Sequence, residues 1–354
     1  MQIVKDKIST SSLQSDTYIS TENILPNFAG VNDNCNIPDN QNVTRYKAGD
    51  ILLANIRPYL KKIWLADRNG GCNADVFVFR PNNINSSFVY YSIANDKFCD
   101  YVMSGAKGVK MPRGDKDQIL KFETGIPSDE EQQRIVQLLS LIDERIATQN
   151  KIIEDLKKLK SAIIDCHFNG RKANNRLGDL IHEVSNRNKR NTDLPVLSVS
   201  NRQGFIAQSE QFENRIIASD DTSNYKIVIK NDFAYNPARI NVGSIARLVN
   251  YESGIVSPMY ICFRCSDEIL PEYLELFFQS RYFQLEVEKR LEGSVRQCLS
   301  IDGIKSIQFG ILSISEQKVF AEKLKTIQTK LDNEETMNLL YQAKRKYLLS
   351  NMFI

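Results

Sequence analysis

Apolar residues recur at alternating spacings of four and three in two long segments. The first segment opens at Asp129 and runs to Phe168, and the second opens at Ser313 and runs to Phe353. Positions 128–168 and 314–354 contain no glycine or proline, so each segment predicts an unbroken helix about 60 Å long. The alternation is typical of the contact line of a coiled coil rather than of a helix lying on a sheet. The predicted inward positions are Ile135, Leu139, Ile142, Ile146, Gln149, Ile153, Leu156, Lys160 and Ile163, then Phe320, Leu324, Ile327, Leu331, Glu334, Asn338, Tyr341, Arg345 and Leu348.

The second helix repeats the first at an offset of 185 residues, without a gap. Polar residues recur at the same inward positions, so Gln149 corresponds to Glu334, and Lys160 to Arg345. If the helices pair antiparallel about a local twofold axis, Gln149 faces Glu334. A buried polar pair fixes the register of a coiled coil and costs some stability. The alternative is that both side chains lie at a water-filled gap.

The segments that precede the helices alternate short β-type runs with Asn, Asp and Gly turns. Each contains a late amphipathic helical patch, at 87–94 and at 272–278. They also match each other more loosely: 49–57 resembles 231–239 at an offset of 182, and Ser104-Gly105 resembles Glu292-Gly293. The offset between the two halves is therefore constant along the long helices, whereas it varies along the globular segments.

These patterns predict an α+β protein with a pseudo-twofold internal repeat. Two α/β domains, 1–126 and 171–312, are joined by two long helices, 127–170 and 313–354, which form an antiparallel coiled coil. Duplex DNA suits such an object because its strands and grooves repeat with local twofold symmetry.

Composition narrows the class of protein. The net charge is only +3 over 354 residues, so a nucleic-acid surface requires local clusters of Lys and Arg. Seven cysteines form an odd, scattered set, which predicts reduced thiols. No signal peptide or run of about 20 apolar residues is present. We therefore expect a soluble, cytoplasmic protein that does not contact the membrane.

Enzyme and metal signatures are weak. Cys262 and Cys265 have CxxC spacing, but they fall in a predicted strand and lack a second ligand pair. Only His167 and His182 exist, and there is no phosphate-binding GxxxxGK[ST] loop. The motif at 236–239 resembles that of amino-methyltransferases but lacks its second proline and its aromatic residue. We expect no catalytic residues, no metal and no cofactor.

Polar and basic residues cluster in loops, several beside glycines that permit close backbone approach. Arginine recognises guanine and Asn or Gln recognises adenine, while lysine mainly neutralises phosphate. For any single residue the alternative is a solvated loop side chain. The candidate DNA-binding residues are Asn55, Arg57, Tyr59, Lys61, Lys107, Lys110 and Arg113 in the first half, and Arg187, Lys189, Arg190, Asn201, Arg202, Asn236, Arg239, Asn241, Ser294, Arg296 and Gln297 in the second.

The chain resembles the specificity subunit of type I restriction–modification systems over nearly its whole length. The resemblance rests on the two variable segments paired with two long helices, and on several short motifs. These motifs are 126–135, 156–160, 177–180, 235–245 and 315–317.

The resemblance implies two target-recognition domains held apart by the coiled coil, each binding one half of a bipartite, asymmetric DNA site. It implies a non-catalytic subunit that positions two adenine methyltransferase (M) subunits and recruits motor–nuclease (R) subunits. The first half lacks a counterpart of Leu177-Gly178-Asp179-Leu180, so the first domain is expected to be trimmed. Two other interpretations stay open: a free-standing DNA-binding regulator or antirestriction decoy, and a methyltransferase or nuclease with an unrecognised site.

Overall fold

A computed structural model describes residues 1–32, 35–201, 203–208, 221–293 and 297–353. The chain divides into two compact units, one formed by 1–151 with 335–354 and the other by 152–334. The two predicted long helices are confirmed as α4 (Asp129–Asn169) and α9 (Ile314–Met352). Each unit contains one part of each long helix, so both helices belong to both cores.

The first unit contains two four-stranded sheets, ordered β1-β8-β5-β6 and β2-β4-β7-β3. Ile51–Ala54 is a strand that pairs antiparallel with both of its neighbours. The elements are β1 (Gln2–Ile3), β2 (Lys7–Ser9), β3 (Tyr18–Ile19), β4 (Asn42–Tyr46), β5 (Ile51–Ala54), β6 (Ile63–Leu65), β7 (Gly70–Cys72), β8 (Val76–Arg80), α1 (Ser86–Ile93), α2 (Asp96–Ser104) and α3 (Lys116–Ile119).

The second unit has sheets ordered β10-β17-β14-β15 and β12-β11-β16-β13, with a two-stranded β18-β9 pair. Its elements are β9 (Asn175–Arg176), α5 (Leu177–Leu180), β10 (Ile181–Glu183), β11 (Val196–Ser200), β12 (Gly204–Ala207), β13 (Lys226–Ile229), β14 (Phe233–Tyr235), β15 (Ile245–Arg247), β16 (Ser253–Val256), β17 (Ile261–Cys265), α6 (Pro271–Phe278), α7 (Arg281–Glu288), α8 (Ile301–Lys305) and β18 (Gln308–Phe309).

The first sheet of each unit has the same strand order and register. Ile51 pairs with Phe79 in one unit, and Phe233 pairs with Phe263 in the other. In the remaining sheets the shared part is three strands, β4-β7-β3 and β13-β16-β11. The fourth strand differs: β2 extends the β4 edge, whereas β12 extends the β11 edge. The two units therefore share a framework and differ at opposite sheet edges.

The repeat is stricter than the sequence indicated. The helices α1, α2 and α3 begin 185 residues before α6, α7 and α8, respectively, which is the offset of the long helices. The interpretation that the offset varies throughout the globular segments is therefore wrong for their helical parts. The variation is confined to the strands and loops upstream of α1.

Two buried glutamines show the repeat at the level of single hydrogen bonds. Gln132 Nε2 donates to the carbonyl of Pro127 at 3.0 Å, and its Oε1 accepts from the Asn85 amide at 3.3 Å. At the offset of 185, Gln317 makes the same two bonds with Leu312 and Leu270, each at 2.9 Å. Each glutamine thus fastens the first turn of a long helix to the globular part of its own unit, and buried amides without partners would be costly.

The long helices pair antiparallel within the first unit. Arg345 Nε donates to Asp143 Oδ1 at 2.5 Å, and Asn338 Nδ2 donates to Asn150 Oδ1 at 2.9 Å. The Tyr91 hydroxyl also donates to Asp143, at 3.0 Å. The partly buried ion pair is thereby joined to the globular part of the unit.

The second unit has the equivalent pairing with different chemistry. Lys160 Nζ donates to Gln328 Oε1 at 2.8 Å, and these residues correspond at the 185 offset to Arg345 and Asp143. Burial lowers the pKa of Lys160. The corresponding positions hold an ion pair in one unit and a lysine–amide bond in the other.

The contacts between the long helices follow one register in both units. Asp143 pairs with Arg345, and the equivalent positions at the 185 offset, Gln328 and Lys160, are also joined. Gln149 is fully buried, and Glu334 forms an ion pair with Lys330 on its own helix. The placement of Gln149 opposite Glu334 stays a prediction.

Each core is built from a helix pair and the globular part of the same unit. In the first unit Leu139 of α4 and Phe353 pack in one cluster with Phe88 of α1. In the second unit Phe168 and Leu324 lie in a cluster that is rich in aromatic residues. Within the described part of the chain, no helix has the length and hydropathy needed to cross a membrane.

His167 is placed in the aromatic cluster of the second unit. Its ring stacks on Phe320 with centroids 3.7 Å apart, and Nε2 shares a hydrogen bond of 2.9 Å with the Tyr273 hydroxyl. Burial, aided by the charge of Arg171, lowers the pKa of His167 to about 4. The imidazole is therefore neutral in the folded protein at neutral pH.

We predict that this neutral histidine makes the protein acid-labile. The folded-state pKa lies below the ordinary value of 6.5, so its stabilising contribution is present above about pH 6.5 and is lost as pH falls toward 4. The loss is at most about 1.4 kcal/mol per pH unit. Denaturant unfolding between pH 7 and 4.5 should show a weaker pH dependence for His167→Gln, while His182→Gln, at the exposed histidine, should behave as the unmodified chain. Equal slopes for all three proteins would contradict the prediction.

Candidate nucleic-acid interface

The candidate residues of the first unit lie mostly on two adjoining loops. One loop follows β5 and carries Asn55, Arg57 and Tyr59, and the other is a hairpin that spans 107–113. Backbone bridges join Lys107 to Arg113 and Ile56 to Arg113. The structure therefore brings Asn55, Arg57, Lys107, Lys110 and Arg113 together.

The β5 loop has an unusual backbone. Arg57 has φ 53° and begins a 3-10 turn over Pro58–Leu60, which ends at Lys61 with φ 55°. The Arg57 amide donates to the carbonyl of Pro112 at 2.8 Å, so the hairpin supports the strained residue. The exposed Arg57 side chain projects from this turn.

Lys61 differs from its neighbours because it is held by the globular part of the unit. Its ammonium lies 2.6 Å from Asp96 Oδ1, and Asp96 also pairs with Lys346 at 2.9 Å. The hydrogen bond that Lys61 donates to Asp96 raises the pKa of Lys61. A DNA contact by Lys61 stays a prediction, and the side chain already has a structural partner.

The second unit repeats the loop and the hairpin. Arg239 begins a 3-10 turn over Ile240–Val242, which ends at Gly243 with φ 85°. A bridge between Glu292 and Cys298 closes the hairpin, as the bridge between Lys107 and Arg113 does in the first unit. Arg57 and Arg239 therefore occupy equivalent positions at the start of equivalent turns.

The hairpins correct one predicted correspondence. Gly293 has φ 104°, and the residue that matches it at the 185 offset is Gly108, with φ 95°. The predicted match of Ser104-Gly105 with Glu292-Gly293 was therefore wrong by three residues. Gly105 has a negative φ and ends α2.

The other candidates of the second unit fall at two edges of one sheet. Exposed Asn201, in the turn between β11 and β12, lines a cavity of about 560 Å³ together with Gly243 from the Arg239 loop. Arg187, Lys189 and Arg190 are exposed beside the opposite edge, where Arg187 bridges to Lys226 of β13. The structure therefore groups Asn201 with the Arg239 loop but leaves the 187–190 cluster apart.

Of the remaining candidates, Asn236 is buried, and its Oδ1 accepts from the Ala238 amide at 3.1 Å. Asn241 and Gln297 are exposed. Arg202, Ser294 and Arg296 lie outside the described residues. Asn236 thus shapes the loop that carries Arg239.

Carboxylates near the first hairpin were missed by sequence reasoning. Asp75 lies 3.2 Å from Arg113, and Asp115 lies 2.6 Å from Lys107. Nothing local in the sequence indicates that Asp75, which lies 38 residues before its partner, approaches the hairpin.

The interface offers no evident centre for metal chemistry. Among the described residues, no group of three His, Cys, Asp or Glu side chains could hold a metal ion. Cys262 packs in one core cluster, and Cys265 packs against another. Burial raises the pKa of both thiols to about 12.

Comparison with known proteins finds a similarity in the first part of the chain. Residues 7–158 match the family model described as the type I restriction modification DNA specificity domain. A curated relative, the type I restriction enzyme EcoDI specificity subunit of Escherichia coli, is 24% identical over 129 residues, which cover 35% of this chain. The match spans only 29% of that relative's length.

Solved structures show the same fold over nearly the whole chain. The S subunit of a type I restriction–modification system from M. genitalium aligns with a TM-score of 0.55 at 17% identity, covering 99% of this chain and 96% of that one. A chain from a structural study of the assembly of the type I R-M system aligns with a TM-score of 0.59 at 15% identity, covering 98% and 90%. The predicted resemblance and the predicted fold class are confirmed.

The positive φ at the hairpin glycine gives a stability prediction. Gly108→Ala places a Cβ where φ is +95°, and we expect it to lower the free energy of unfolding by about 1–2 kcal/mol. Gly170→Ala is the matched control, because its Cβ would meet a carbonyl oxygen at the same 3.4 Å without a positive φ. Urea titrations that show equal stability for the two variants would contradict the strain at Gly108.

Proposed function

We propose that this chain is the DNA-recognition subunit of a type I restriction–modification complex, and that each unit binds one half of a bipartite site. The observation that carries the proposal is the repeated placement of Arg57 and Arg239, each exposed at the start of a 3-10 turn beside a glycine-containing hairpin. The DNA specificity domain matched over residues 7–158 supports the same conclusion.

The two recognition surfaces have different chemistry on equivalent backbones. In the first unit, positions 107 and 113 of the hairpin are Lys and Arg, whereas the equivalents in the second are Glu292 and Cys298. Unlike side chains at equivalent positions would present unlike hydrogen-bonding patterns to the major groove. This difference supports an asymmetric site.

In this proposal the chain performs no chemistry. Two methyltransferase subunits modify adenine, motor–nuclease subunits cut, and the complex acts in the cytoplasm. The chain binds double-stranded DNA and requires neither a cofactor nor a metal of its own. The proposal draws on the resemblance and on the absence of a recognisable catalytic cluster among the described residues.

The primary experiment is the motif of methylated adenines in host DNA with and without this chain. A bipartite motif that disappears with the chain supports the proposal. Two further measurements separate the alternatives: methylation by the purified chain with added methyl donor would indicate an enzyme, and failure to co-purify with methyltransferase subunits would favour a free-standing regulator.

We predict that Arg57→Gln and Arg239→Gln each change recognition in a different half of the site. Arginine donates two hydrogen bonds to guanine, and the loss of such a pair costs about 1–3 kcal/mol of discrimination at one base pair. Methylated-motif sequencing measures the change, and each variant is the control for the other. Uniform weakening on all sequences would instead mark the arginine as a phosphate contact.

We further predict that the long helices set the spacing between the half-sites. Inserting one heptad into both helices near 151 and 336 keeps the packed faces and adds about 10 Å. The spacer should then lengthen by roughly three base pairs, because DNA rises about 3.4 Å per pair. Lys158→Ala, an exposed substitution that keeps the helix length, should leave the motif unchanged. A constant spacer after the insertion would count against the spacing role.

A further inference from the structure

We propose that Arg113 is a guanine-recognising residue of the first unit and that Asp75 is its positioning residue. This inference rests on the proposed DNA-recognition function and assigns different tasks to the basic side chains of one loop cluster. It follows from the placement of Arg113, from its carboxylate partner and from the contrast with its basic neighbours.

Arg113 lies where the parts of the candidate interface meet. Its backbone bridges to Lys107 across the hairpin and to Ile56 of the β5 loop. Its amide and the amide of Lys107 each donate at 2.9 Å to the carbonyl of the other residue. The Cα position of Arg113 is therefore fixed from two sides, while 58% of its side chain is exposed.

The carboxylate of Asp75 restrains the guanidinium. Asp75 Oδ1 lies 3.2 Å from Nη2 of Arg113. Asp75 immediately precedes β8, and its carbonyl accepts from the amide of Asn55 at 2.8 Å, so it is fixed to the β5 loop. A guanidinium has five N–H donors in a planar fork. One carboxylate contact orients the plane and leaves donors for a second, bidentate partner.

The local charge favours a base over a phosphate as that second partner. Asp75 offsets the charge of Arg113, and a carboxylate 37% exposed beside the guanidinium would repel a phosphate. Lys110, by contrast, has no ion-pair partner within the described ranges. A locally neutral, oriented guanidinium suits guanine O6 and N7, whereas an unpaired lysine ammonium suits the DNA backbone.

The pairing of Arg113 with Asp75 is specific to the first unit. Position 298 corresponds to Arg113 and is a cysteine. Position 259 corresponds to Asp75 in the register of β8 and β17, and it is a methionine. The equivalent hairpin of the second unit therefore lacks both the guanidinium and the carboxylate that restrains it. This contrast predicts that the hairpin contacts a guanine in only one half of the DNA site.

The test uses the full chain assembled with its methyltransferase and compares methylation rates on DNA with every single-base change in the site. For Arg113→Lys, which keeps the charge but loses the fork, we expect about ten- to a hundredfold loss of discrimination at one guanine. Asp75→Asn should relax the same position, with an unchanged salt dependence. Lys110→Ala should weaken binding to all sequences and reduce the salt slope by about one.

Arg134→Lys is the matched control, because Arg134 is an exposed arginine paired with a carboxylate, Glu130, on α4. It should leave every position of the site unchanged. Thermal unfolding of each variant identifies any loss of fold. If Asp75→Asn and Arg113→Lys keep full discrimination while remaining folded, the pair is only a structural link and the inference is wrong. If the unmodified chain confers no sequence preference, the proposed function itself fails.

Discussion

The structure depends on the burial of both long helices in the core of each unit. Leu139 and Phe353 pack with the first globular segment, and Phe168 and Leu324 with the second. Apolar burial of this kind is the main favourable term in folding. Each globular segment packs on parts of both helices. Its own sequence therefore does not complete the core of its unit.

The buried glutamines show which features the two halves of the repeat share, and the hairpins show which features differ between them. Gln132 and Gln317 make the same bonds to backbone groups, which are insensitive to the identity of the residues that supply them. Side chains on the hairpins are under no such constraint. The repeat therefore preserves a backbone geometry while the exposed residues diverge between the two halves.

Sequence patterns predicted the secondary-structure elements better than they predicted which residues of those elements meet or correspond. The long helices followed from uninterrupted apolar spacing. The contacts that set their register could not be found in the same way, because Arg345 meets Asp143 across 202 residues and no local pattern links the two positions. Gly105 was preferred to Gly108 because sequence does not reveal the sign of φ. The partner of Arg113 could not be found for a similar reason, since Asp75 approaches only when the sheet forms.

The unequal pairs between the long helices make the two ends of the helix pair chemically distinguishable. Arg345 meets a carboxylate, whereas Lys160 meets a neutral amide. Removing one partner of a charge pair leaves the other uncompensated. Loss of the Asp143 carboxylate would therefore leave the Arg345 charge without its partner, whereas loss of the Gln328 amide would remove one hydrogen bond of Lys160.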